Sequence, residues 1–325
     1  MKNKYLIISP ILALLLVSCD ISLGSFTPEN SEPTSEDKSE TSSTDKNSET
    51  TSEVDSQVPS VNDPSNDSDK EGFVLAWSDE FEGTKLNTKY WTPELGDHGW
   101  GNQENQMYTG REENVYVENG NLVINVIKEK YNAARPSEYT SARIKTAGKI
   151  TTKYGYIEAR ISLPAVEGLW PAFWMMPEDS VYGMWPNSGE IDIMEVRGRI
   201  TDRTTSALHY GGTEQANGGN STYKAATYIY EDGTTIEDFH TYGVLWEEDQ
   251  IEWFVDGNSF FRMRSGPRGG WWTATSDREN APFDQEFYII LNMAVGGHFD
   301  EFRYPPEGFT DAQMLVDYVR IYDFA

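Results

Sequence analysis

The chain has 325 residues and a formal net charge of -27, and so broad an acidity repels phosphate backbones and argues against nucleic acid as a partner. Aromatic residues make up 13 % of it, with ten Trp and 27 Gly, a mixture suited to an aromatic-rich β protein rather than a helical one. Its one cysteine excludes an internal disulfide framework.

The first residues read as an export signal. Lys2 and Lys4 precede an apolar run from Tyr5 to Val17, which ends in Leu16-Val17-Ser18-Cys19. The run is too short for a membrane-spanning helix. Leu-Val-Ser-Cys resembles a bacterial lipobox, in which the cysteine is lipidated and becomes the mature N-terminus. The expectation is a lipoprotein-type signal over residues 1–19, lipidated at Cys19, with export to an outer membrane or cell surface, or otherwise secretion. Any membrane contact would then run through that anchor, which needs more than one acyl chain to hold firmly. Residues 20–71 are dominated by Ser, Thr, Glu, Asp, Asn and Pro. Such a segment cannot bury enough apolar surface to offset its ordering entropy and reads as a disordered acidic linker.

Folded character begins near Phe73, so residues 72–325 are expected to form one domain. A polar and aromatic loop follows, Trp100-Gly101-Asn102-Gln103-Glu104-Asn105-Gln106-Met107-Tyr108. Amides and carboxylates beside flat rings suit sugar hydroxyls and sugar faces, although an ordinary surface loop has the same composition. Strand signals then recur at 114–117 and 122–126, joined by a hairpin turn at Asn119-Gly120. Further strands are expected at 142–146, 155–161, 206–210, 239–246, 250–255, 287–293 and 314–322, with a second hairpin turn at Asp256-Gly257. No segment sustains helical periodicity over three turns. Many short strands separated by turns predict an all-β fold, a sandwich of two sheets.

The segment Gly189-Glu190-Ile191-Asp192-Ile193-Met194-Glu195-Val196 carries the chemistry. On a strand, the period of two sends Glu190 and Asp192 to one face and Ile191 and Ile193 to the other. Glu195, five residues from Glu190, has the wrong parity. One extra residue, a β-bulge near Ile193-Met194, would return it to the acidic face. Three acids on one face beside Trp170, Trp174 and Trp185 suit acid/base and nucleophilic work on a glycosidic bond, whereas a merely solvated sheet face needs no aromatic surroundings.

Residues 72–325 resemble the catalytic domain of glycoside hydrolase family 16, in its bacterial laminarinase (endo-β-1,3-glucanase) branch. The resemblance rests on the 100–108 loop with Glu113-Asn114-Val115, on 155–160, on 170–175 with 189–195, and on Leu291-Asn292-Met293-Ala294-Val295-Gly296-Gly297. It implies a concanavalin A-like β-jelly roll of two curved antiparallel sheets with a cleft on the concave face. It also implies a monomeric retaining endo-glycosidase acting on a β-glucan polysaccharide. Glu190 matches the nucleophile and Glu195 the acid/base, with Asp192 between them to raise the pKa of Glu195 and orient Glu190. Four ladder steps would set the Cα atoms of the two Glu about 13 Å apart, so their side chains must lean together. The same motif is compatible with mixed-linkage glucan, with agarose-like galactan, or with a non-catalytic glucan-binding protein.

Around the acids, Trp170 and Trp185 are expected to face the cleft and Trp174 to lie deeper. Asn102 and Glu104 match a loop near the non-reducing side, and Arg160 matches a position near the cleft. His209 is expected near the acid/base or as a packing residue, Asn292 on the same face, and Trp271 on the rim. No metal is expected in catalysis, and no His or Cys cluster has zinc-ligand spacing. The resemblance does imply a structural Ca2+ held by Asp317 with carbonyl oxygens of Glu82 and Gly120.

Overall fold

The computed structural model describes residues 70–211, 222–266 and 269–325; Cys19 and nearly all of the expected linker lie outside them. In chain order the strands are β1 (Phe73–Asp79), β2 (Thr92–Pro93), β3 (Gln106–Tyr108), β4 (Val115–Glu118), β5 (Asn121–Lys128) and β6 (Tyr139–Ser141). They continue as β7 (Arg143–Lys145), β8 (Gly155–Ser162), β9 (Leu169–Pro177), β10 (Glu190–Glu195), β11 (Arg203–His209) and β12 (Tyr223–Ile229). The last are β13 (His240–Trp246), β14 (Gln250–Val255), β15 (Asn258–Arg264), β16 (Phe287–Val295) and β17 (Asp311–Phe324).

Two sheets result. A 10-stranded sheet runs β15-β14-β13-β8-β17-β5-β6-β3, with β1 added on β17 and β4 on β5. A 7-stranded sheet runs β12-β11-β10-β9-β16-β7-β2. The pairing is antiparallel as expected, except that β3 joins β6 in parallel. Both expected hairpins form, because their turn residues accept the left-handed backbone that a tight two-residue turn requires. Asn119 and Gly120 have φ of 52° and 77°, and Asp256 and Gly257 have 49° and 75°.

The inner faces of the sheets pack together. Phe173, Met175, Ile191, Met194, Leu208, Leu291 and Met293 meet Ile157, Ile161, Val244, Ile251 and Trp253 in one buried cluster. Each fully buried side chain of this size is worth about 1.5–3 kcal/mol, which locks the register of every strand that contributes one. The outer face of the 7-stranded sheet therefore holds the alternate residues, and the functional side chains lie there.

Candidate active site

The bulge is present where the parity argument requires it. Against β11, Asp192 faces Ala207 and Glu195 faces Thr205, three residues on β10 spanning two on its neighbour. Against β9 the shift lies between Asp192, opposite Trp174, and Met194, opposite Phe173. Glu195 thus takes the next same-face position of a regular ladder, and Met194 is pressed fully into the core. Side chains satisfy carbonyls along the bulge: Trp253 Nε1 donates to Asp192 O at 2.9 Å, Ser206 Oγ to Ile193 O at 2.6 Å and Thr204 Oγ1 to Glu195 O at 3.2 Å. The first of these crosses from the opposite sheet, so the core itself holds the bulge in place. Gly189 opens the strand with φ +88°, and a Cβ there would lie 2.7 Å from the Phe283 ring, so only glycine fits.

Each acid has a distinct setting. Glu190 Oε2 accepts from Trp185 Nε1 at 3.1 Å, and its Oε1 lies 3.6 Å from His209 Nε2. Asp192 is only 4 % exposed; its Oδ2 lies 3.4 Å from the same nitrogen and has no hydrogen-bond partner among the described residues. Glu195 Oε1 accepts from Trp170 Nε1 at 3.0 Å. Burial, and for the two Glu the charge of Asp192, pushes all three carboxyls up to about 8. Burial and like charge thus keep the cluster from ionising fully at neutral pH, so that one carboxyl can hold the proton of the acid catalyst beside an ionised nucleophile.

This arrangement costs stability, and the sign follows from linkage. Each carboxyl holds its proton more tightly folded than unfolded, from ordinary values of 4.5 and 3.8 up to about 8. The folded state binds the extra protons between those limits, so stability falls as pH rises through them. Asp192→Asn is accordingly expected to melt higher than the parent at pH 8 and about equally at pH 4, by about 2–4 °C for each kcal/mol relieved. Melting curves at the two pH values check this; a variant destabilised equally at both would remove the argument.

Aromatic rings flank the acids. Trp170 stacks on Phe299 at 4.8 Å. Trp185 is 57 % exposed and lies 5.6 Å from the His209 ring, which is 4.7 Å from Tyr223. Trp174 shares the outer face with Asp192, donates to Asn292 Oδ1 at 2.7 Å, and has Arg143 over its ring at 4.6 Å. Arg143 also lies 4.7 Å from the Trp100 ring and pairs with Glu94, which takes Lys145 Nζ at 2.7 Å. Beside this corner Glu104 is buried and accepts from Asn102 at 3.1 Å, Gln106 at 2.6 Å and Tyr108 at 3.3 Å. Burial raises its pKa. Asn292 donates in turn to Tyr108 Oη at 3.1 Å, joining the loop to the sheet.

A family profile described as "Beta-porphyranase A-D, GH16 domain" matches residues 73–324. The chain belongs to glycoside hydrolase family 16. Among proteins of the family it is 42 % identical over 268 residues to Glucan endo-1,3-beta-glucosidase A1 of Niallia circulans, a match covering 77 % of this chain and 38 % of that protein. It is 40 % identical to the Beta-glucanase of Rhodothermus marinus, covering 79 % of this chain and 88 % of that one. The solved laminarinase of Rhodothermus marinus superposes with a TM-score of 0.68 at 38 % identity, over 78 % of this chain and 98 % of that chain. The described sheets are the jelly-roll sandwich of family 16.

Several expected placements need correction. Trp174 lies on the outer face of the 7-stranded sheet with the acids rather than in the core, because it pairs with Asp192 across β9 and β10. His209 sits opposite Glu190 rather than beside Glu195. Arg160 is on β8 of the other sheet, where it pairs with Asp317 at 2.7 Å and packs on Phe239. It is not a cleft residue. Trp271 is fully buried, donating to Asn280 O at 3.2 Å and packing on Phe283, so it offers no rim platform. Arg143 and Tyr223 join the site without having been picked out, and Trp100 joins it from the loop singled out as suited to sugars. Arg143 alternates with Lys145 on one strand face of a strongly acidic chain, a signal that was available.

By register, the residues expected to bind calcium lie near neighbouring strand ends. β17 pairs with β5 up to Val316–Leu122 and with β1 from Val319–Asp79, leaving Asp317 at the gap between them, beside the ends that carry Gly120 and Glu82. Asp317 is, however, already paired with Arg160, so its carboxylate would be shared between that guanidinium and any bound cation.

Proposed function

We propose that the chain is a retaining endo-β-1,3-glucanase that hydrolyses laminarin-like β-1,3-glucans by double displacement. The bulged strand carries the proposal, since it returns Glu195 to the face of Glu190 and Asp192. In this reading Glu190 attacks the anomeric carbon while Glu195 protonates the leaving oxygen. Glu195 then removes a proton from the water that releases the sugar. Trp185 and His209 orient the nucleophile, and Trp170 orients the acid/base. Asp192 keeps the proton on Glu195 by like charge. Trp170, Trp174 and Trp185 would stack on glucose rings, with Asn102, Glu104 and Asn292 available to bind hydroxyls.

The relatives named above support a β-1,3-glucan, whereas the porphyranase description of the family profile keeps a galactan in view. Reducing ends released from laminarin, barley β-glucan and agarose under one set of conditions separate the two. Laminarin is expected to be cleaved fastest into a ladder of oligosaccharides; cleavage of agarose alone would overturn the choice.

Two further readings concern the rest of the chain. Calcium held by Asp317 and the carbonyls of Glu82 and Gly120 would tie β1, β5 and β17 together, remote from catalysis. Added calcium is expected to raise the melting temperature and a chelator to lower it, whereas identical melts would end this reading. We also read Cys19 as the lipidated N-terminus of an exported monomer. Detergent phase partitioning of the full chain against Cys19→Ala tests the anchor, and equal partitioning would remove it.

A further inference from the structure

His209 presents one nitrogen to two carboxylates, within ion-pairing reach of both but outside hydrogen-bond contact with either. Its Nε2 lies 3.6 Å from Glu190 Oε1 and 3.4 Å from Asp192 Oδ2. Charge-assisted N–H···O bonds close to about 2.7–2.9 Å. Two ligands of a tetrahedral zinc ion, with bonds of about 2.0–2.1 Å, sit about 3.3 Å apart. One donor atom from each of the three residues lies within 4.8 Å of the others. The two distances from Nε2 match the spacing of ligands on one cation, and a shared cation would draw the two carboxylate oxygens together.

Independent observations point the same way. Asp192 Oδ2 is buried, faces His209 and has no hydrogen-bond partner among the described residues, and a buried acceptor left without one is costly. Glu190 is held from behind, because Trp185 binds Oε2 and leaves Oε1 toward the imidazole. Such outer contacts orient metal ligands.

We propose that Glu190, Asp192 and His209 form a binding site for a zinc-class transition-metal dication, and that its occupation inhibits the enzyme by engaging Glu190. One imidazole with two carboxylates suits zinc or copper. It is a poor calcium site, since calcium takes about six to eight oxygens. A fourth position would remain for water or a glucan hydroxyl. Bound this way, Glu190 could not attack an anomeric carbon. The inhibitory half rests on the proposed glucanase reaction; the binding half does not.

The test is calorimetric titration of zinc chloride into the full chain after chelator treatment, with no substrate present. One saturable site is expected, weakened at least about tenfold by His209→Gln and unaffected by replacing His98 or His298. Thermal melts show whether His209→Gln folds; if it does not, Cu2+ bound to the parent chain should give an electron paramagnetic spectrum with coupling to one imidazole. Absence of a saturable site, unchanged affinity in a folded His209→Gln, or a copper spectrum without nitrogen coupling would each overturn the site. Zinc should also inhibit laminarin hydrolysis competitively and reversibly with chelator. Hydrolysis at full speed with the site occupied would overturn the inhibitory half. Zinc binding by a chain that cleaves no glucan would leave the site standing and remove the glucanase reading instead.

Discussion

Replacing Glu190 by Gln is expected to lower kcat on laminarin by about 10⁴-fold or more, the scale on which loss of a covalent nucleophile is felt, while glucan binding survives. The amide keeps the shape and the contact with Trp185 Nε1 but cannot form a glycosyl ester. The test that separates the two Glu residues is rescue by azide. With Glu190→Gly and an activated glucoside, azide would enter from the side vacated by the nucleophile and yield an α-glycosyl azide. With Glu195→Gly, the covalent intermediate still forms, and azide takes the path of water to yield a β-glycosyl azide. Exchange of the two products would reverse the roles assigned here. Full activity in Glu190→Gln would sink the mechanism outright.

The acids were legible because they are local. Three carboxylates within six residues, with a parity fault between them, predict both a shared face and the distortion that produces it. The aromatic frame was less legible, since parity tells which face of a strand a residue occupies but not which sheet the strand joins. Arg160 illustrates this: its half-buried side chain belongs to the sheet opposite the acids. β9 reads as an aromatic run because apolar residues occupy both of its faces, Phe173 and Met175 toward the core and Trp170 and Trp174 toward the cleft. β12 escapes notice for the opposite reason. It is an edge strand with mostly exposed side chains, so burial imposes no alternation on its sequence. Arg143 reaches the site through the pairing of β7 with β16, strands far apart in the chain, and only the folded sheet brings it to Trp174. Trp271 folds back into the core from a Gly-rich loop whose composition carries no record of that direction.

The bulge makes a second prediction of comparable size, because it can be removed or enlarged without changing any acid. Glu190 lies opposite His209 and Glu195 opposite Thr205, so five steps of β10 cover four steps of β11. Deleting Met194 would leave Glu-Ile-Asp-Ile-Glu, a regular strand in which all three acids keep their cross-strand positions. Such a chain is expected to retain measurable laminarin hydrolysis while losing about 2–5 kcal/mol of stability with the buried Met side chain. Inserting one Ala between Ile193 and Met194 has the opposite result. The second glutamate would regain the correct parity only by moving one same-face position farther along, about 6.6–6.8 Å. A retaining pair works at a carboxyl separation of about 5–5.5 Å, so the insertion should abolish hydrolysis even where the fold survives. Melting curves and initial rates on laminarin for the two chains decide the matter. If the deletion were inactive while folded and the insertion active, the bulge would have a purpose other than placing Glu195. The position of Met194 in the core argues against that. Its side chain fills space between the sheets, which couples the extra residue to packing and holds the acid/base at a fixed height above the cleft.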